Sequence, residues 1–239
     1  VGVDTMLVVS GLTAGYGDII AVRDFSFSLA RGRVLAVMGA NGAGKSSTLM
    51  CLMGLVERKS GSIRLEGEEI TTASVETRIV NGLAIVPEGR RVFPDLTLRE
   101  NLLVGGHILS KTALSRGLEM VFDLFPQLGD RSYQLAGSLS GGEQQMLAIG
   151  RALVSRPKIL IIDEISLGLM PKVVDECYRV LEQLIRESMA VLLVEQNTER
   201  ALSFADDVCV LEAGNLIWSG SAQQARDHTS LTASLMGIH

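Results

Sequence analysis

The sequence predicts an α/β fold, and three observations carry that prediction. Val/Ile/Leu blocks of strand length recur at Val34–Met38, Ile159–Ile162, Val191–Val194 and Val208–Leu211. Segments of helical spacing separate the last three, and a glycine-rich turn follows the first. Continuous apolar runs fit strands buried on both faces of a parallel sheet. Strand–helix alternation then places helices over that sheet.

Taken in order, Val34–Met38 reads as a strand, and Leu49, Met50, Leu52 and Met53 as the apolar positions of the helix after the turn. From Glu88 to Arg151 the pattern changes. Leu114, Leu118, Val121/Phe122 and Phe125 repeat at helical spacing and no strand pattern stands out, so this interval reads as a helical insertion. Pro171 suits a first helical turn. From it to Ser188, Val174, Cys177/Tyr178, Leu181 and Leu184/Ile185 fall on one face. Without an internal repeat or a low-complexity linker, residues 1–239 read as a single domain, with the helical subdomain inserted at about 89–150.

Composition bounds the function. The 239 residues carry 22 Lys+Arg against 27 Asp+Glu, a net charge of −5 without like-charge runs, which disfavours a nucleic-acid partner. A hydrophobic fraction of 47% and a mean hydropathy of +0.30 raise the question of a membrane span. The apolar runs are only a handful of residues long, where a spanning helix needs about 20. Val1-Gly2-Val3-Asp4-Thr5 lacks the basic flank and apolar segment of a secretory signal. The expectation is a soluble protein retained in the cytoplasm. Cys51, Cys177 and Cys209 are scattered and read as reduced structural thiols. His107, His228 and His239 are equally isolated, which argues against a metal site built from protein side chains alone.

Gly39-Ala40-Asn41-Gly42-Ala43-Gly44-Lys45-Ser46, followed by Ser47, fits G-x-x-x-x-G-K-[ST] between a strand and a helix. Such a loop curls so that several N–H groups converge on a phosphate, and the following helix adds its positive end. Lys45 then reaches the β/γ-phosphates and the Ser46 hydroxyl ligates Mg²⁺. A glycine-rich turn with a solvated lysine is the plain alternative. Ile159–Ile162 runs into Asp163-Glu164. Beside a phosphate loop, the first carboxylate suits Mg²⁺ and the second suits a general base for the attacking water. By itself the pair is more often the start of a solvated turn.

Leu139-Ser140-Gly141-Gly142-Glu143-Gln144 precedes apolar positions at Met146, Ile149 and Leu153. Ser140 and Glu143 form a capping box. Two glycines inside a helix cost about 0.8–1.0 kcal/mol each relative to Ala, so they suggest close approach to an anion.

These three motifs, in this order, resemble the ABC-type ATPases over residues from Leu7 to at least Gly220, nearly the whole chain. The resemblance implies a P-loop NTPase (RecA-like) core with an N-terminal antiparallel β subdomain and the inserted helical subdomain. In that family Ser140, Gly141, Gly142 and Glu143 would complete the ATP site of a partner subunit in a head-to-tail dimer. Tyr16 matches the aromatic that stacks on adenine, with an ordinary strand or turn tyrosine as the alternative. Ser166-Leu167-Gly168-Leu169 stands where the family has its inter-subunit loop. Two positions depart from the common pattern: Glu88 where most relatives have Gln, and Gln196 where most have a switch His. Glu88 still offers Mg²⁺ an oxygen. Gln196 donates a hydrogen bond but carries no proton near neutral pH, which favours Glu164 as the base. Ile165 also replaces a common Pro.

Pro87–Pro94, Ser166–Leu169 and Val194-Glu195-Gln196-Asn197 resemble the LivF-type branch, the ATPases of bacterial branched-chain amino-acid importers. That resemblance implies a second, similar ATPase subunit (homo- or hetero-dimer), two membrane permease subunits and, indirectly, an extracytoplasmic solute-binding protein. It implies a peripheral position on the cytoplasmic face of the inner membrane. Arg90, Arg91 and Phe93 are candidates for docking a permease, or else belong to a solvated loop. Urea or amides as solutes stay open. So does a soluble ABC-type ATPase of translation, repair or cluster assembly. A P-loop kinase or GTPase leaves the Leu-Ser-Gly-Gly-Glu segment unexplained.

Overall fold

The computed structural model describes residues 4–228. The readings of Val1–Val3, of His239 and of the closing Leu235–His239 segment, in which no chemistry is legible, lie outside them. Two sheets build the body. The first is antiparallel, formed by β1 (Thr5–Tyr16), β2 (Ile19–Ala30), β4 (Glu57–Leu65) and β5 (Glu68–Glu69) in the order β2-β1-β4-β5. The second runs β10-β9-β3-β8-β7-β6 and comprises β3 (Val34–Met38), β6 (Leu83–Val86), β7 (Ile159–Asp163), β8 (Ala190–Val194), β9 (Asp207–Glu212) and β10 (Asn215–Ser221).

The continuous apolar runs behave as two-sided burial requires. Every residue of β3, β7 and β8 is buried. These strands pair in parallel, as do β6 with β7 and β3 with β9, while β10 closes the edge antiparallel to β9. Parallel pairing brings five carboxyl ends to one edge. Val37 lies opposite Val194, Asp163 opposite Val194, and Ile162 opposite Val86. Loops leaving this edge form the crevice in which open α/β sheets bind ligands.

After α1 (Lys45–Leu52) and α2 (Val75–Val80), the chain between residues 89 and 150 forms α3 (Leu98–Gly105), α4 (Lys111–Leu124), α5 (Pro126–Asp130) and α6 (Gly141–Leu153), with one isolated bridge, Thr97 to Leu135. One buried cluster joins Leu102, Val121 and Ile149 of these helices, and Phe125 between α4 and α5, to Val86, Leu160 and Ile162 of the sheet. It also takes in Val174, Leu181 and Leu184 of α7 (Pro171–Arg186). A second cluster lies between the sheets, where Leu7, Leu12, Phe25 and Ile63 meet Val37, Leu49, Ile161 and Leu192. Cys51, Cys177 and Cys209 are free and buried. Burial pushes the Cys177 and Cys209 thiols up to about 12, so they behave as small hydrophobic side chains. Among the described residues no helix is long and apolar enough to cross a membrane.

Candidate active site

The loop leaving β3 turns into α1 (Lys45–Leu52) through Gly44, the residue before the helix, which holds φ 99°. A Cβ on Gly44 would sit 2.4 Å from the Ala21 carbonyl oxygen, so only glycine lets the loop lie against β2. Lys45 is 6% exposed. Its Nζ donates to the carbonyls of Gly39 at 2.8 Å and Ala40 at 2.9 Å, holding the loop closed on itself. Burial pulls the ammonium below its ordinary value, against the opposing pull of Glu164, Asp163 and Glu88.

A cleft of about 300 Å³ opens here, lined by Ala21, Asn41, Gly42, Gly44, Lys45, Ser46, Ser47, Glu88, Glu164 and Gln196. Segments from β3, β6, β7 and β8 thus converge on one space, together with Ala21 of β2. Asp163 closes β7 and is 1% exposed. Burial raises its carboxyl above the ordinary range and neighbouring Glu164 and Glu88 add to the rise, while a hydrogen bond with Ser46 and the charge of Lys45 oppose it.

Glu164 adopts φ 56°, a left-handed conformation that costs a non-glycine residue about 1–3 kcal/mol. Two contacts with the end of β8 hold it there. Its amide donates to the Val194 carbonyl at 2.9 Å, and Gln196 Nε2 donates to its Oε1 at 2.6 Å. Asp163 Oδ1 and Glu164 Oε2 are buried with no hydrogen-bond partner. Two orphaned carboxylate oxygens beside a lysine ammonium are costly unless a further charged group or water completes them. The donors at hand, the Ser46 hydroxyl and the carboxylates of Glu88 and Asp163, are all oxygens and fit a hard divalent cation such as Mg²⁺. Among the described residues no cluster of three or more His, Cys, Asp or Glu could hold a metal by itself. A cation here would need further oxygens to complete its shell, such as those of phosphate groups that Mg²⁺ commonly takes.

Other expected residues lie elsewhere. Tyr16 ends β1, is 56% exposed and does not line the cleft. Ser140–Glu143 are also outside it. They open α6 with a complete capping box, Glu143 Oε2 accepting from the Ser140 amide at 2.8 Å. Of the two glycines, Gly142 has a packing role as well. A Cβ on Gly141 would come within 3.0 Å of the Arg90 guanidinium, and one on Gly142 within 2.9 Å of Val173. Arg91 and Phe93 line a separate recess of about 410 Å³ with Ile85, Val104, His107 and Arg151, and the Arg151 guanidinium lies 5.3 Å over the Phe93 ring. Sequence reasoning did not single out Glu195, which is buried one position from Gln196. The available signal was a carboxylate directly after five apolar strand residues.

A protein-family model described as ABC transporter matches residues 22–166. A Pseudomonas aeruginosa protein named high-affinity branched-chain amino acid transport ATP-binding protein BraG is 48% identical, over 89% of this chain and 91% of its own. An Archaeoglobus fulgidus protein named probable branched-chain amino acid transport ATP-binding protein LivF is 35% identical, over 98% and 99%. Among solved structures, the ATP binding subunit of an ABC transporter superposes with a TM-score of 0.83 at 28% identity, covering 98% of this chain and 97% of that one. A nucleotide-free ATP-binding cassette gives a TM-score of 0.87 at 21% identity, covering 98% of each, a likeness of fold. The family model over residues 22–166, with relatives aligned over nearly their full length, makes this chain a member of the ABC transporter family, as an ATP-hydrolysing subunit.

Proposed function

We propose that this subunit drives import of branched-chain amino acids through membrane permeases. The observation carrying its chemistry is the single cleft in which Lys45, Ser46, Glu88, Glu164 and Gln196 meet beside two unpartnered carboxylate oxygens. The choice of solute rests on the 48% identity to BraG along nearly both chains.

In this reading Gly39–Ser47 cradles the phosphates of ATP, and Lys45 leaves the Gly39 and Ala40 carbonyls to meet them. Ser46, Glu88 and Asp163 hold Mg²⁺, which when bound neutralises charge developing on the phosphates. Glu164 takes a proton from the attacking water through the oxygen left without a partner, while Gln196 orients its other oxygen and the γ-phosphate. Tyr16 stacks on adenine outside the phosphate cleft. Ser140, Gly141, Gly142 and Glu143 face the nucleotide held by a second ATPase subunit, the partner being an identical or a similar chain. The recess at Arg91 and Phe93 receives one of two permease subunits. The complex sits at the cytoplasmic face of the inner membrane and takes its solute from an extracytoplasmic binding protein. Residues 1–239 act as one ATPase domain with the helical part inserted at about 89–150.

The test is reconstitution of the complex in proteoliposomes. Leucine, isoleucine or valine, presented with the binding protein, should accelerate ATP hydrolysis and accumulate inside. Stimulation by urea or amides alone would overturn the solute, and ATP hydrolysis that no permease affects would overturn the transport role.

A further inference from the structure

One buried carboxyl has no part in that mechanism. Glu195 is 3% exposed and is the first residue past β8. Its Oε1 accepts from the Ser166 hydroxyl and, at 3.5 Å, from the Asn197 amide. Its Oε2 accepts from the Tyr178 hydroxyl of α7 at 3.4 Å. Three segments meet on this one side chain: the loop two residues past Glu164, the helix that follows that loop, and the segment carrying Gln196.

Stability alone does not account for it. A buried carboxyl surrounded by neutral donors is expensive, and an apolar side chain of similar volume is often as stable or more so. Nor does α8 (Thr198–Phe204) need it as a cap, because Asn197 Oδ1 already accepts from the Arg200 amide at 2.9 Å. What Glu195 adds, beyond the contacts of Glu164 itself with Val194 and Gln196, is a tie from the end of β8 to Ser166 in the loop leaving β7 and to Tyr178 of α7. Glu164 sits in a left-handed turn which only its surroundings maintain.

We propose that Glu195 is a positioning residue for ATP hydrolysis. Its carboxyl ties Ser166 and Tyr178 to the end of β8 and so fixes the relative placement of Glu164 and Gln196. The claim rests on the ATP-hydrolysis reading above, in which Glu164 acts on the attacking water. A displacement of about 1 Å at such a group costs on the order of 10²-fold in rate.

The experiment measures kcat, KM for MgATP and Tm on the full chain assembled with its permeases, for Glu195→Ala, Glu195→Gln, Ser166→Ala, the double variant Ser166→Ala/Glu195→Ala and Glu164→Gln. Glu195→Ala should lower kcat on the order of 10²-fold with KM unchanged. Glu195→Gln, which keeps one acceptor oxygen, should recover most of that loss. The Ser166→Ala/Glu195→Ala double variant should be no slower than Glu195→Ala, because both remove one connection. Wild-type kcat in Glu195→Ala overturns the proposal. So does a loss in which kcat and ATP affinity fall together in step with Tm, the mark of a purely structural role. If Glu195→Ala does not fold, Ser166→Ala decides: lowered kcat at wild-type Tm supports the proposal, and wild-type kcat overturns it. Hydrolysis that survives in Glu164→Gln would sink the underlying reading instead, whatever Glu195 does.

Discussion

Alanine at Gly44 and at Gly42 should have unequal effects, although both lie in the same loop with positive φ, 99° and 80°. A left-handed conformation costs an L-residue roughly 1–2 kcal/mol, and both variants incur it. At Gly42 nothing lies within 4 Å of the new Cβ. The conformational cost stands alone there, and at about 2–4 °C per kcal/mol for a chain of this size the melting temperature should fall by about 2–8 °C. At Gly44 the Cβ meets the Ala21 carbonyl oxygen at 2.4 Å, a backbone atom of β2 that no rotamer change can move. Overpacking of that kind adds about 1–3 kcal/mol, making roughly 2–5 in all and a fall of about 4–20 °C. Relief of the clash also pushes the loop away from β2, so MgATP affinity should drop far more in Gly44→Ala than in Gly42→Ala. Thermal unfolding with and without nucleotide, together with titration of a fluorescent ATP analogue, reads both quantities. Equal melting shifts and equal affinities in the two variants would refute the argument, because the steric contact is the only difference invoked.

Glu164→Gln should lower turnover by about 10²–10⁴-fold, the usual worth of a general base, and trap an ATP-bound dimer visible by size-exclusion chromatography; normal turnover would remove Glu164 from that role. Asp163→Asn should raise the melting temperature of the nucleotide-free protein at neutral pH while abolishing Mg²⁺-dependent hydrolysis. The sign follows from burial: Asp163 is raised in the folded state, so the folded chain binds its proton more tightly, and stability is lost as pH climbs from the ordinary carboxylate range through the raised value. A lower melting point in Asp163→Asn would contradict this. Ser140→Ala removes the acceptor for the Glu143 amide in the α6 capping box and should cost about 1 kcal/mol, or about 2–4 °C, measured by thermal denaturation. No change would mean the box contributes nothing to the fold.

The elements differ in how plainly they were written. Strands β3, β7 and β8 were legible because two-sided burial leaves a run of apolar residues with no competing interpretation, and α4 and α7 because one buried face repeats every three or four residues. The antiparallel sheet followed only from family resemblance. Register shifts between Thr5 and Leu7, Val9 and Leu12, and Leu12 and Ala14 interrupt the alternation that would betray β1. The glycine pair at Gly141 and Gly142 suggested an approaching anion. Packing against Val173 gives Gly142 a second reason that spacing could not reveal.

From its residues alone, the chain determined the phosphate loop, the acidic strand end and the capped helix, because each is a local pattern whose chemistry depends on neighbours in sequence. Tertiary structure decided what those pieces share. The strand order β3-β8-β7-β6 sets four carboxyl ends side by side, bringing Lys45, Gln196, Glu164 and Glu88 into one cleft from positions far apart in the chain. It decided that Glu164 is strained, that one oxygen of Asp163 and one of Glu164 go unpartnered, and that Glu195 is enclosed by Ser166 and Tyr178. Burial and orientation depend on which strands pair, and pairing is set by contacts between residues remote in sequence.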